Sequence, residues 1–222
     1  MMTINNIHGR QILSDLLDFK FDVLAVIVEH KSKFAENSRN YLKNNFYDAP
    51  SFSDLIKNTS INVHYVEHHN NEECVEILKE YNPDYIILGG TRILKESVIK
   101  TSRCGILNSH PALLPKYQGL DCVGWSIIND DPVGATEHFI DSGIDTGPII
   151  LQDSFEYDDC HSLIEVRIKA MKKCSELMIK SLILLEFSGY SPKSQNPSLG
   201  INYSHLPTDK LEYIEQKLSK NK

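Results

Sequence analysis

The sequence predicts an α/β fold, with a mostly parallel, twisted sheet and helices on both faces. Two stretches, 21–29 (FDVLAVIVE) and 85–88 (YIIL), are apolar at almost every position. Such runs are typical of strands that are covered on both faces of a parallel sheet. A helical pattern separates them, and strands that alternate with helices indicate parallel βαβ units.

The first strand is the least regular predicted element. Only MMTI precedes a polar turn, NNIHGR at 5–10. A doubly wound sheet usually places its first strand near the centre, so this strand is either very short or begins upstream of residue 1. The second alternative would include a misplaced start codon.

The helix between the two apolar runs has recognisable ends. Asn70 followed by Glu73 forms a capping pair, apolar residues recur at helical spacing, and Pro83 ends the segment. Further strands are expected at 105–108, 135–139 and 149–155.

The last long helix is expected to begin at Ser162, where Glu165 completes a capping box, and to reach about Phe187. After Pro192 the composition changes to Ser, Asn, Pro and Gly, and a short helical pattern resumes near Thr208. We therefore predict a catalytic domain over 1–190 and a C-terminal tail over 191–222 that carries a short helix and is not a separate domain.

Composition narrows the class of protein. The 222 residues contain 23 Lys and Arg against 30 Asp and Glu, a net charge of −7, and 41% hydrophobic residues. This is typical of a globular protein, and the acidic balance argues against nucleic acid as a partner, because phosphate binding needs clustered basic residues. A local basic patch remains the alternative. No apolar run is long enough to cross a membrane, and the start lacks the blocks of a secretory signal. We expect a cytoplasmic protein with no membrane partner.

The five cysteines are odd in number and lack C-x-x-C spacing. They are predicted to be buried, reduced and inert. The histidines in INVHYVEHH, at 61–69, have no companion carboxylates or cysteines at ligand spacing, so no metal is expected.

The densest group of chemically useful residues lies at 105–121, GILNSHPALLPKYQGLD. Asn108 and His110 end a predicted strand, and the carboxyl ends of strands are where open α/β sheets bind ligands. Two residues apart in an extended chain, their side chains share one face. The alternative is that Asn108 caps a turn and His110 is an ordinary loop histidine.

A second group, GATEHFIDSGIDTGPIIL at 134–151, holds Asp141 and Asp145 in a loop between two strands. An aspartate there can orient an imidazole and favour its charged form. Both can instead be turn residues that bond to their own backbone.

Together these residues resemble the folate-dependent formyltransferase family, most strongly from about 83 to 151. The residues that carry the resemblance are Asn108, His110, Leu113 to Pro115, Gly119, Gly134 to Thr136, His138, Asp145 and Gly147. The resemblance implies a Rossmann-like fold and an enzyme that transfers a formyl group from 10-formyl-tetrahydrofolate to an amine.

The resemblance also implies roles for individual residues. Asn108, His110 and Asp145 would be catalytic: Asn108 would stabilise the tetrahedral oxyanion, His110 would serve as general acid, and Asp145 would orient His110 and relay a proton. The turn GGTRIL resembles the family's pterin-binding segment, so Arg92, Ile93 and Leu94 would contact the co-substrate. Ile140 and Asp141 would lie on the other side of that pocket. The alternative for GGTRIL is a simple strand-to-helix turn.

Departures from the family pattern bear on the acceptor. The first turn has one glycine, a poor phosphate nest for a ribonucleotide, and the chain offers no room for the extra domains of methionyl-tRNA formyltransferases or deformylases. The predicted helix around Trp125 resembles the corresponding segment of the methionyl-tRNA and sugar-nucleotide formyltransferases more than that of the purine branch. The preferred acceptor is an amino sugar of a sugar nucleotide, and glycinamide ribonucleotide is the alternative. An inactive relative that only binds folate remains open.

Apolar residues in the tail, among them Leu206, Leu211 and Ile214, suit either a homodimer contact or a cover for the domain's own sheet edge. The sequence leaves this choice open.

Overall fold

Helices and strands alternate in a computed structural model that describes residues 1–30, 50–187 and 189–220. The strands are β1 (Met2–Thr3), β2 (Ala25–Glu29), β3 (Asn62–Val66), β4 (Tyr85–Gly89), β5 (Gly105–His110), β6 (Tyr117–Gly119), β7 (Gly134–Phe139), β8 (Ile149–Ser154) and β9 (Ile201–Tyr203). The helices are α1 (Ile7–Asp18), α2 (Phe52–Ile56), α3 (Glu72–Tyr81), α4 (Glu96–Ile99), α5 (Cys122–Ile128), α6 (Leu163–Leu185) and α7 (Thr208–Leu218), with a 3-10 turn at Pro197–Leu199.

The chain divides into two units, Met1–Asn108 and Ser109–Lys222. In the first unit, the strands follow the order β3-β2-β1-β4-β5, and every neighbouring pair is parallel. This order matches the first five positions of the Rossmann sheet order 3-2-1-4-5-6. The predicted fold class and its short first strand are confirmed, since β1 contains only Met2 and Thr3 and pairs with both β2 and β4.

Strand β2 starts later than the sequence predicts. All five of its residues are buried, whereas Asp22 and Leu24, just before it, are exposed. The continuous apolar run therefore begins at Ala25, and Phe21 belongs to the connection that follows α1. Beside β2, helix α1 buries Ile12, Leu13 and Leu16.

Helix α3 begins one residue later than predicted. Asn71 is the N-cap, and its side-chain oxygen accepts a hydrogen bond from the Cys74 amide at 2.9 Å. The helix ends at Tyr81 before Pro83, as predicted, and Asn82 closes it in a left-handed conformation. Asn70 is engaged elsewhere, with the loop that follows β4.

The second unit opens with the last two residues of β5 and contains an antiparallel pair, β7 and β8. The register of this pair shifts between Glu137 and His138. Helix α6 packs against both strands and, with α5 and α7, encloses an apolar core that includes Ile127, Val166 and Ile214.

The tail belongs structurally to the second unit. Strand β9 pairs with β6 in parallel, and helix α7 begins at Thr208 as expected. The Trp125 indole donates a hydrogen bond to the Ser204 carbonyl at 2.8 Å, and its ring packs against Tyr203. Sequence patterns predict the helix, whereas they give no sign of a three-residue strand.

Four cysteines are buried and Cys104 is exposed, so the prediction of uniformly buried cysteines is wrong at Cys104. This residue lies in the turn before β5, outside the core. Burial raises the pKa of the Cys74 and Cys122 thiols to about 12, which keeps them protonated and unreactive. Across the described segments, no helix is both long and apolar enough to cross a membrane.

Candidate active site

His110 is the last residue of β5, and only 4% of its surface is exposed. Its Nε2 lies 2.7 Å from the backbone carbonyl oxygen of Tyr117 in β6. A carbonyl oxygen only accepts hydrogen bonds, so Nε2 carries a hydrogen in this arrangement. The other ring nitrogen, Nδ1, is the one that faces the loop between β7 and β8.

Asp145 lies in that loop, and its backbone adopts the left-handed conformation, with φ of 54°. Its Oδ2 is 3.4 Å from His110 Nδ1 and accepts a hydrogen bond from the Gly119 amide at 2.9 Å. Strand β6 therefore contacts both members of the pair, through the Tyr117 carbonyl on one side and the Gly119 amide on the other.

Both ring nitrogens of His110 face acceptors. A protonated ring can donate to the Tyr117 carbonyl and to the Asp145 carboxylate at once, whereas a neutral ring can donate only to one of them. The surroundings of His110 therefore suit an imidazolium, the form that a general acid needs.

His138 in β7 is a second histidine beside the same carboxylate. Its Nε2 is 3.6 Å from Asp145 Oδ1, and its Nδ1 lies 2.8 Å from the Phe139 carbonyl. Burial lowers the pKa of His138 to about 4, and the opposing effect of the Asp145 charge is smaller. His138 is thus neutral at neutral pH, with its hydrogen on Nδ1.

The loop that carries Asp145 closes tightly on the end of β7. The Phe139 amide donates to the Pro148 carbonyl at 2.9 Å. A Cβ atom at Gly147 would lie 1.9 Å from the Phe139 carbonyl oxygen, so only glycine fits there. Within the loop, the Asp141 carboxylate accepts hydrogen bonds from the Gly143 amide at 3.0 Å and from Thr146 Oγ1 at 2.7 Å.

The proline-bearing loop after His110 is held by β7 and β8. Thr136 Oγ1 donates to the Ala112 carbonyl at 2.6 Å and accepts from the Leu114 amide at 3.1 Å. The Gln152 amide nitrogen donates to the Leu114 carbonyl at 2.7 Å. These bonds fix the chain between His110 and β6, which carries the partners of the histidine.

In the first unit, the predicted pterin-binding segment lies between β4 and α4. The Arg92 guanidinium makes a two-pronged ion pair with Glu29, which is fully buried at the end of β2, and its Nε is 3.0 Å from Oε2. The Glu29 carboxylate raises the pKa of Arg92 and also accepts from the His69 amide at 3.0 Å. The Arg92 side chain thus anchors the loop.

Asn70 holds the same segment from another side. Its side chain donates to the Ile93 carbonyl at 2.9 Å and accepts from the Lys95 amide at 2.7 Å. Ile93 is 75% exposed, whereas Leu94 is buried. The segment therefore exposes the Ile93 side chain to solvent. Its backbone is held by the hydrogen bonds of Asn70, and the Arg92 ion pair anchors the loop.

Comparison with known proteins identifies this arrangement. A model of the formyl transferase family matches residues 16–182.

The chain belongs to the formyl transferase family. The family that the sequence analysis expected is confirmed.

One relative of known name matches more than half of this chain. A methionyl-tRNA formyltransferase of Clostridium tetani (strain Massachusetts / E88) is 34% identical over 128 residues, which cover 57% of this chain and 41% of that relative. The present chain thus spans about two fifths of that relative's length.

Solved structures show the same fold at low identity. A phosphoribosylglycinamide formyltransferase from Bacillus halodurans aligns with a TM-score of 0.63 at 22% identity, over 85% of this chain and 97% of that one. An N-formyltransferase from Helicobacter canadensis, solved with folinic acid and dTDP-3-aminofucose, aligns with a TM-score of 0.62 at 24% identity, over 91% of this chain and 68% of that one.

In this member of the formyl transferase family, the structure brings His110 and Asp145 together and places Asn108 two residues before His110 on β5, paired with Leu88 of β4. Arg92, Ile93 and Leu94 lie in the first unit, and Ile140 and Asp141 lie in the loop of Asp145 in the second. Among the residues that the structure describes, no group of three His, Cys, Asp or Glu side chains is arranged to hold a metal ion.

Sequence reasoning missed the backbone partners of the pair, the Tyr117 carbonyl and the Gly119 amide, because a backbone group leaves no trace in the sequence. It also left His138 outside the site, although this residue lies in the same motif as Asp145. The side-chain amide of Gln195 reaches the Asp145 loop. No sequence pattern indicates this contact, because the tail around Gln195 has no regular periodicity.

Proposed function

We propose that this protein transfers a formyl group from 10-formyl-tetrahydrofolate to a primary amine of a small molecule, namely the amino sugar of a sugar nucleotide. The observation that carries the proposal is the buried His110–Asp145 pair, with Asp145 Oδ2 3.4 Å from His110 Nδ1. A histidine with acceptors at both nitrogens is suited to protonate an oxyanion and to return to its charged form afterwards.

The proposed donor fits the two segments that the sequence assigns to it. Bound 10-formyl-tetrahydrofolate would supply the formyl carbon that the amine attacks. Ile93, exposed on a loop that Asn70 holds, offers apolar surface to a flat heterocycle, and we assign Arg92 and Leu94 beside it to the same ligand. Ile140 and Asp141 belong to the Asp145 loop, and we assign them to the same ligand.

We assign three chemical roles. The Asn108 amide donates to the oxygen that becomes negatively charged, and His110 stabilises that charge as general acid. When the tetrahedral intermediate collapses, the bond between the formyl carbon and N10 of the folate would break, and the proton that the amine has lost would pass through His110 to N10 of the departing tetrahydrofolate. Tyr117 holds the Nε2–H of His110, so Nδ1, with its longer contact, is the nitrogen that exchanges protons. Asp145 keeps His110 charged and oriented, and takes part in removing the proton of the attacking amine.

The turn between β1 and α1 argues against a ribonucleotide phosphate as the recognised group. The Asn6 side chain accepts from the Gly9 amide at 2.8 Å, so the helix caps itself with its own side chain. Gly9 is required for packing, since a Cβ atom there would lie 2.4 Å from the Gly89 carbonyl oxygen. The single glycine therefore does not indicate a phosphate nest.

Methionyl-tRNA is the second candidate acceptor, because the relative from Clostridium tetani is named for it. The net charge of −7 over the chain argues against it, since binding the tRNA backbone relies on Lys and Arg. We therefore rank the small amine first.

The test is transfer of isotope-labelled formyl from 10-formyl-tetrahydrofolate to sugar nucleotides that carry an amino group. Glycinamide ribonucleotide and methionyl-tRNA serve as competing acceptors, and formate release detects transfer to water. Labelled N-formyl sugar is the expected product. Folate binding without turnover of any amine or of water would favour the inactive-relative hypothesis and overturn the proposal.

His110→Ala is expected to lower turnover roughly 100-fold or more while the chain still folds, because the general acid is lost. Circular dichroism and thermal unfolding of the variant provide the control for folding. Near-normal turnover by this variant would contradict the assigned mechanism.

A further inference from the structure

The C-terminal tail reaches the loop that carries Asp145. The side-chain amide nitrogen of Gln195 donates to the Asp145 carbonyl at 2.9 Å and to the Gly147 carbonyl at 2.7 Å. An amide nitrogen has two hydrogens, and both are used here on backbone oxygens of one short turn. Gln195 therefore bonds to the loop on either side of Thr146.

The conformation at Asp145 is one that needs such support. Asp145 adopts the left-handed region, with φ of 54°, and residues in sparsely populated conformations persist where surrounding contacts over-determine them. Besides Gln195, the Gln118 amide nitrogen lies 3.5 Å from the Asp145 carbonyl. Two glutamines, one from the tail and one from β6, thus converge on the carbonyl of the residue that faces His110.

A second attachment joins the tail to the partners of the pair. Strand β9 pairs with β6 in the register Tyr117 with Ile201 and Gly119 with Tyr203, and the Leu120 amide donates to the Tyr203 carbonyl at 2.9 Å. Strand β6 carries the carbonyl that contacts His110 and the amide that contacts Asp145. The tail consequently supports both sides of the pair.

A third attachment fixes where the tail begins. Lys193 and Ile149, the first residue of β8, exchange two backbone hydrogen bonds of 2.7 and 2.8 Å. Gln195 follows two residues later, so the chain enters the Asp145 loop from a fixed point.

We propose that Gln195 is a positioning residue, and that the tail from Lys193 to Tyr203 sets the geometry of the His110–Asp145 pair. Gln195 acts through the backbone of Asp145 and touches no reacting group. This inference rests on the proposed function only for its kinetic consequence, because the geometry that it predicts exists without any substrate.

The test uses the full chain with Gln195→Ala, Gln195→Glu and the control Gln216→Ala. Glutamate keeps the size of the side chain but replaces two donors with acceptors that face carbonyl oxygens. Gln216 is an exposed glutamine in α7, outside the segment from Lys193 to Tyr203. We expect kcat to fall roughly 10- to 100-fold in both Gln195 variants, as for a small misplacement of a catalytic group, with little change in the KM for folate. The control should match the wild type.

Nitrogen-15 NMR of the histidine rings gives the readout that does not depend on activity. The His110 resonances should shift in both Gln195 variants and stay in place in Gln216→Ala, while thermal unfolding shows that all variants fold. Unchanged His110 resonances in the folded Gln195 variants would overturn the positioning role. If the wild type transfers formyl to no acceptor, the proposed function fails, and the NMR result still decides the role of Gln195.

Discussion

At the scale of single residues, the site depends on the Asp145 carboxylate, which lies beside two histidines in different surroundings. Asp145 lies beside His110, whose nitrogens both face acceptors, and beside His138, which burial keeps neutral. The surroundings of the two rings differ: His138 is buried within β7, whereas His110 ends β5 between two acceptors.

Asp145→Asn should reduce kcat roughly 100-fold or more, since the amide has the size of the carboxylate but cannot stabilise a charged His110. Removing the charge should also lower the pKa of His138 further, because the Asp145 charge is the largest of the effects that oppose the lowering by burial. Steady-state kinetics and histidine NMR measure the two effects. Asp153→Asn, which removes an exposed carboxylate on β8, is the control, and equal activity in the two variants would contradict the role of Asp145.

Glu137 faces away from this site and supplies a stability prediction. It is fully buried, Ser109 Oγ donates to its Oε1, and its Oε2 has no hydrogen-bond partner among the described residues. Burial raises the pKa of Glu137 well above its usual range, and the Ser109 hydrogen bond offsets this only in part. The folded chain thus keeps this carboxyl protonated at pH values where the unfolded chain has lost the proton.

Stability should therefore fall as pH rises from about 4.5, the ordinary value for this group, towards the raised pKa of the folded state. Glu137→Gln has no proton to lose, so its free energy of unfolding should fall less over the same pH range. Urea unfolding between pH 4.5 and 8 tests this, with the exposed Glu76→Gln as control. Parallel pH profiles for wild type and Glu137→Gln would refute the prediction.

At the scale of elements, helix α6 depends on its first turn. Ser162 Oγ accepts from the Glu165 amide at 3.4 Å, and Glu165 Oε2 accepts from the His161 amide at 2.6 Å. The capping box that the sequence predicts is present, and the carboxylate reaches the amide one residue before the N-cap. This helix packs on β7, the strand that carries His138.

Ser162→Ala should lower the free energy of unfolding by about 1 kcal/mol, because a first-turn amide loses its acceptor. Urea unfolding at neutral pH measures the change. Ser191→Ala, at an exposed position in the connection after α6, should have no comparable effect. A stability equal to wild type in Ser162→Ala would mean that packing alone holds the start of α6.

At the scale of the whole molecule, charge bears on the choice of acceptor. In our proposal the net charge of −7 favours a small amine, since binding the phosphates of a tRNA relies on clustered Lys and Arg.

We expect kcat/KM for an amino-sugar acceptor to change little between about 50 and 200 mM salt, while any transfer to methionyl-tRNA should be weak and should fall steeply over that range. Labelled formyl transfer at the two salt concentrations measures both. Efficient transfer to tRNA at the higher salt would reverse the ranking of acceptors.

Much of the fold was predictable because it rests on local patterns. Apolar runs located β2 and β4, and capping residues located α3 and α6 to within a few residues. The predicted start of β2 was too early because burial, which the apolar run alone does not show, sets where the strand begins. Asp22 and Leu24 are exposed, so β2 starts at Ala25. The strand β9 was unpredictable, because three residues of mixed polarity form a strand only when β6 is there to pair with them.

The sequence by itself determined the α/β class, the family and the nature of the residues at the ends of the strands, because apolar periodicity, caps and ordered motifs are properties of the chain alone. Only the tertiary structure decided which groups meet. It brought Asp145 to His110 across 35 positions, and it brought the tail to both through Gln195 and β9. Backbone carbonyls and amides make most of these contacts, and since every residue type carries them, no sequence pattern marks the ones that matter.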